Sequence, residues 1–222
     1  MGSTDEKLLP PSFLFRFAVP CFLRDPLWTT KAGALDEKYR LPRLTSLDDE
    51  PEWADFRAAW NNDGLAFSVL VQGKKQPLWC RANKIEDSDG LAVWIDTRDT
   101  HNVHRASRFC HELRFLPAGG GAKNDQPVAA QVAIDRAREQ PKPIDPAKLK
   151  VRSQILKDGY LLEGLVPAEV LSGFDPAEHP RLGFQFAVWD REKGEQTFTA
   201  GGELPYRSDP SLWGTLELVN AH

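Results

Sequence analysis

The sequence has little cysteine. Cys21, Cys80 and Cys110 are three of 222 residues, widely spaced and odd in number. Such a set makes no disulfide framework. It leaves one bridge with a free thiol or, as expected here, three reduced thiols. Long apolar runs are missing as well. No stretch approaches the roughly 18 consecutive apolar residues of a membrane-spanning helix, so no membrane partner is expected. Charge of one sign is also scarce. Lys and Arg number 28 against 32 Asp and Glu, a net charge of −4. That balance offers no basic footprint for nucleic acid. The apolar stretch 13–19 carries Arg16 and follows Met-Gly-Ser-Thr-Asp-Glu-Lys. A signal peptide has the opposite order, basic residues and then a clean apolar run, so a cytoplasmic location is expected. The catalytic signatures G-x-S-x-G, H-E-x-x-H and the P-loop are absent. Gly119-Gly120-Gly121 opens no helix and reads as a flexible loop. The chain is therefore expected not to be an enzyme.

What the sequence does hold is short apolar runs between turn residues. Hydrophobic residues make up 41 %, with 16 Gly and 17 Pro. A chain of this length buries roughly 70 % of its unfolded surface and folds without staples. Most runs alternate with period two, the signature of half-buried strands. Phe13, Phe15, Phe17 and Val19 share one side of a first strand. Residues 53–60 place Phe56, Ala58 and Trp60 together, and Asn61-Asn62-Asp63-Gly64 follows. Leu65, Phe67, Val69 and Val71 then alternate, which makes this a hairpin. Residues 91–96 are apolar on both faces and belong in the middle of a sheet. Further strands fall at 112–116, at Val128, Ala130, Val132 and Ile134, and at 151–156 and 160–166 around Lys157-Asp158-Gly159. Leu182, Phe184, Phe186 and Val188 make another, and 213–219 the last. Residues 167–171 read as one short helix.

Nine or ten strands and almost no helix predict an all-β fold. The expectation is an antiparallel β-sandwich of immunoglobulin or jelly-roll type, with a barrel as the alternative. The chain 1–222 is read as one domain. Three loops are long: 25–51, 96–109 and the proline-rich 136–150.

Two clusters could bind metal. His101 and His104 are three residues apart and His111 follows, and imidazole is a natural zinc ligand. Arg105 and Arg108 put positive charge there, and Cys110 and His111 point to opposite faces of a strand. The bland alternative is a polar loop. Asp87 and Asp89, in Glu86-Asp87-Ser88-Asp89, offer oxygen to calcium, the cofactor their chemistry suits, but lack the full spacing of an EF-hand loop. The seven tryptophans are the other asset. Most belong to the core, because an indole carries a large apolar area. Trp79, in Gln76-Pro77-Leu78-Trp79-Cys80-Arg81, lies between strands, where its flat face could stack on a sugar ring or plug the open end of the core.

The order of segments resembles the family 9 carbohydrate-binding modules and the related DOMON-like sandwiches. Five stretches carry the likeness: Asn62 to Val69, Asp87 to Asp96, Gly159 to Pro167, Leu182 to Asp190 and Asp209 to Leu216. The last reads Asp-Pro-Ser-Leu-Trp-Gly-Thr-Leu, and the likeness runs from about residue 53 to 219. The resemblance implies a carbohydrate partner, with a sugar held between two tryptophans beside polar groups and an arginine. It places Trp79 near one stacking position, Arg114 at the arginine and Gln185 at an amide. Two departures stand against it. Ala92 occupies the position of the family's strand Glu, and no second stacking tryptophan is matched, Tyr206 being the nearest aromatic. A structural or protein-interaction sandwich without a sugar cleft is thus the competing reading. DOMON-like haem sites use a Met and a His, and the only methionine is Met1.

Overall fold

The computed structural model describes residues 17–42, 52–199, 201 and 203–220. Among these, eleven strands form one continuous sheet: β1 (Ala18–Leu23), β2 (Ala54–Asn61), β3 (Gly64–Val71), β4 (Gly90–Asp96), β5 (Cys110–Gly120), β6 (Gln126–Val132), β7 (Lys150–Leu156), β8 (Gly159–Pro167), β9 (Arg181–Asp190), β10 (Gly194–Thr197) and β11 (Gly214–Val219). Their order is β6-β5-β4-β9-β11-β1-β2-β3-β8-β7, with β10 pairing β9. The all-β expectation holds. The purely antiparallel arrangement does not. β1 runs parallel to both β11 and β2, so the sheet is mixed. Its remaining ladders are antiparallel.

The sheet curves over so that its two arms face each other. Phe56 on β2 stacks on Phe186 of β9 with centroids 4.0 Å apart. Phe67 on β3 meets Phe184 of β9 at 5.9 Å. Gly164 on β8 lies against the Phe115 ring of β5, and a Cβ there would sit 2.7 Å from it. Only a residue without a side chain lets the arms approach this closely. The inward sets are the alternating ones. Leu91, Val93 and Ile95 join Phe184, Phe186, Val188 and Phe56 in the main core.

The outer faces are covered by loops rather than left wet. Leu27, Leu35 and Tyr39, from the long loop after β1, cover Ala59, Ala66 and Leu165. On the other arm, Trp94 and Ala187 are covered by Ala106, Ile134, Tyr206 and Trp213. β4 is central, between β5 and β9, and every one of its residues is buried.

Both hairpins form where their turns predict. Asn61 pairs with Gly64, and the Asp63 N–H donates to Asn61 Oδ1 at 2.7 Å. Leu156 pairs with Gly159 around Lys157-Asp158. The helix expected at 167–171 is a single 3-10 turn, Ala168–Val170. The 136–150 segment is largely exposed but tied to β6: Gln131 donates to Lys142 O and accepts from Ile144 N. The first strand shifts towards the C-terminus relative to expectation; residues 13–16 lie outside the described residues. All three cysteines are free.

Candidate functional site

One cavity, of about 520 Å³, opens where the β3–β4 loop meets the β9–β10 turn. Trp79, Trp189, Arg191, Glu195 and Arg207 line it, with Glu86 and Asp87 exposed at its rim. Both indoles are half-buried.

The backbone explains how two distant tryptophans meet. The Asp89 N–H donates to Trp79 O at 2.8 Å, so the Trp79 loop is fastened one residue before β4. The next residue, Gly90, is the ladder partner of Trp189, which in turn pairs with Glu195 on β10. Lys75 and Gln76 N–H groups donate to the Glu192 carboxylate, both at 2.8 Å at their shorter contacts, and hold the loop to the β9–β10 turn. Those two bonds pull the Glu192 carboxyl below its usual range. Trp189 alternates with Val188, so it faces outward where Val188 faces the core.

Beneath the cavity lies a buried charge cluster. The Lys74 ammonium donates to Asp190 and, at 3.3 Å, to Asp89. Burial alone would lower its pKa; the bond to Asp190 and the charges of both carboxylates carry it above the ordinary value. Asp89 also accepts from Trp79 N at 3.0 Å and Arg191 N at 2.8 Å. Asp190 accepts from Glu192 N and Lys193 N. One carboxylate pair thus fixes the backbone on both sides of the cavity. The Tyr160 hydroxyl, fully buried, has no hydrogen-bond partner among the described residues.

Four guanidiniums lie on the two indoles. Arg81 is 3.8 Å and Arg191 4.4 Å from the Trp79 ring centre. Arg114 is 4.4 Å and Arg207 4.7 Å from that of Trp189. Arg114 is buried and paired with Glu112 at 2.7 Å, and its Nη1 reaches Glu86 O at 3.4 Å. Burial holds the Glu112 carboxyl above its usual range, against the pull of Arg114. Ala92 and Ala130 are the ladder neighbours of Arg114, and its partner Glu112 stands two residues away on β5 itself.

The sequence-derived residues therefore divide. Trp79 lines the cavity, and Arg114 underlies Trp189. Gln185 and Tyr206 do not reach it. Gln185 is fully buried and accepts from Phe186 N and Thr199 N. Tyr206 is fully buried edge-on to Trp94, 5.3 Å between centroids, and its hydroxyl donates to Glu195. It braces the wall from behind, because the loop after β10 folds over the sheet there. Trp189 is the residue that sequence reasoning missed. The signal was present: if Phe184, Phe186 and Val188 face inward, Trp189 beside a turn must face out.

The metal candidates do not converge. His101 Nε2 lies 2.8 Å from Asp99 and 2.9 Å from Thr215 Oγ1. The exposed His104 contacts Asp209 at 3.1 Å and Ser211 at 3.0 Å, both through Nδ1. His111 is fully buried and accepts from Ser172 N, and burial lowers its pKa from 6.5 to about 4. Asp89 is committed to Lys74 and two N–H groups, while Asp87 is exposed at the cavity rim. No group of three or more His, Cys, Asp or Glu among the described residues is placed to hold a metal ion.

The fold is that of the family 9 carbohydrate-binding modules. No protein-family model and no curated protein matches the chain. Among solved structures, a family 9 module from Caldicellulosiruptor kristjanssonii in complex with cellotriose is similar at 16 % identity and a TM-score of 0.57, over 93 % of this chain and 95 % of that one. A family 9 module from the same organism in complex with glucose matches at 15 % identity and a TM-score of 0.57, over 93 % of this chain and 97 % of that one. A candidate carbohydrate-binding protein from Bacteroides uniformis matches at 12 % identity and a TM-score of 0.51, over 91 % and 98 %.

Proposed function

We propose that this chain is a non-catalytic carbohydrate-binding module that receives a sugar in the cavity between Trp79 and Trp189. The observation that carries the reading is the pair of half-buried indoles at the mouth of one polar cavity. An indole face covers the C–H face of a pyranose and removes apolar area from water. Arg191, Arg207, Glu86 and Asp87 are within the same lining and supply donors and acceptors for hydroxyls. The cavity is of the size that small ligands occupy. The solved structures with cellotriose and glucose support the reading through their shared fold. The kinship with DOMON-like sandwiches, drawn from motif order, belongs to the same reading.

Calcium is not part of it. Lys74 already supplies the positive charge between Asp89 and Asp190.

The competing reading is an interaction domain whose cleft is closed, favoured by the guanidiniums already lying on both indoles. Calorimetric titration with cellotriose and glucose, then a wider glycan array, decides between them. Binding that weakens in Trp79→Ala supports the module. Absence of binding to every glycan overturns it.

A further inference from the structure

Arg191 in the cavity wall, and Arg81 beside Trp79 in the neighbouring cleft, differ from the other basic groups at the site. Asp89 and Asp190 share Lys74. Glu195 has Arg207 at 3.1 Å, and Glu112 has Arg114 at 2.7 Å. Arg81 and Arg191 are exposed, and neither side chain has a carboxylate or a hydrogen-bond acceptor among the described residues. Their guanidiniums lie over the indole and keep their N–H donors free. Such a fork matches a carboxylate with two parallel hydrogen bonds.

This distribution polarises the cavity. Glu86 belongs to the Trp189 end, since its carbonyl takes Arg114 Nη1. Asp87 is exposed at the rim, and water screens it as it screens the likewise exposed Arg81 and Arg191. The unpaired positive charge is concentrated at Trp79. A sugar ring that stacks on Trp79 takes ring face now covered by a guanidinium. With a neutral sugar the cation–π contact is exchanged for hydrogen bonds to uncharged hydroxyls. With an acidic sugar the displaced guanidinium gains an anionic partner at the edge of the ring.

We propose, resting on the sugar-binding reading above, that this site prefers a sugar bearing an anionic substituent, with Arg81 and Arg191 as the residues that confer the preference. A uronate carboxylate and a sulfate ester share the required chemistry, and the planar fork favours the carboxylate.

The test is calorimetric titration of the full chain with glucose, cellotriose, glucuronic acid and glucose 6-sulfate. At low salt, glucuronic acid should bind about tenfold more tightly than glucose, and the gap should narrow near 1 M salt, where the screening length falls to about 3 Å. A gain for glucuronic acid alone assigns a uronate; an equal gain for glucose 6-sulfate assigns anionic sugars as a class. The Arg81→Ala/Arg191→Ala double variant, with its fold checked by circular dichroism, should lose the gain, so that glucuronic acid binds it no more tightly than glucose does. Equal binding of neutral and acidic sugars would overturn the preference and leave the sugar site standing. Binding to none of the four overturns the preference together with the sugar site.

Discussion

Asp89 and Trp79 are bonded in both directions: the Asp89 N–H donates to Trp79 O at 2.8 Å, and the Asp89 carboxylate accepts from Trp79 N at 3.0 Å. This reciprocal pair closes the loop from Trp79 to Asp89 and presents the indole to the cavity. The same carboxylate holds Lys74 and the Arg191 N–H, so one side chain sets the position of several groups at once. Asp89→Ala leaves a buried ammonium with Asp190 alone and two N–H groups unpaired. The loss should be about 3 kcal/mol or more, the scale for breaking a buried pair. Urea unfolding measures it. A loss under about 1 kcal/mol would show that water reaches the cluster.

Trp79 and Trp189 should behave differently when truncated. Trp79→Ala removes a half-buried ring that meets mainly two arginines, so stability should change little while cellotriose binding falls by about tenfold or more. Trp189→Ala should weaken binding and also destabilise. Its ring packs edge-on against Trp94 at 5.9 Å, and its Nε1 donates to Glu195 at 2.7 Å. The added loss is about 3 kcal/mol. Paired melting curves and titrations separate the two effects.

His111 makes stability pH-dependent. Its folded pKa, about 4, lies below the ordinary 6.5 because the ring is buried. As pH falls through 6.5 the unfolded chain takes up a proton that the folded chain refuses. Stability should therefore drop from about pH 6.5 to about pH 4, by about 3 kcal/mol in all, and be unaffected by this group above that window. Denaturant titrations across that range, repeated on His111→Gln, should show the slope shrinking in the variant. An unchanged slope assigns the dependence to other groups.

Tyr160→Phe should be neutral or stabilising. The hydroxyl is buried without a partner, and an unsatisfied group of this kind costs about 1–3 kcal/mol. A variant less stable by about 1 kcal/mol would show that the oxygen has a partner in solution.

Much of this molecule was legible from period-two patterns. Phe184, Phe186 and Val188 announced one face of β9, and Asn62-Asp63-Gly64 announced a turn, because both are local properties. The parallel placement of β1 was not legible. Nothing in the sequence of Ala18–Leu23 says which edges it joins, since that depends on strands placed far along the chain. β10 was missed because four residues carry too little alternation. At the site, Trp79 was readable as a loop indole. Lys74 was not, because an ammonium is expected in water, and its burial is explained only once Asp89 and Asp190 are seen on either side. Tyr206 was drawn towards the site by its position near the last strand, whereas a covering loop buries it.

The double parallel pairing of β1 also bears on how the protein is made. A ribosome releases β1 first of the described strands and β11 last, yet each is the other's neighbour in the sheet. Until β11 emerges, β1 lacks one neighbour and β9 has that edge paired only where β10 meets it, at 187–190. Contacts so remote in sequence form slowly, and open edges invite pairing with other chains. Completion of the sheet thus waits on the synthesis of β11, and the interval before it is when the sheet is most exposed to aggregation.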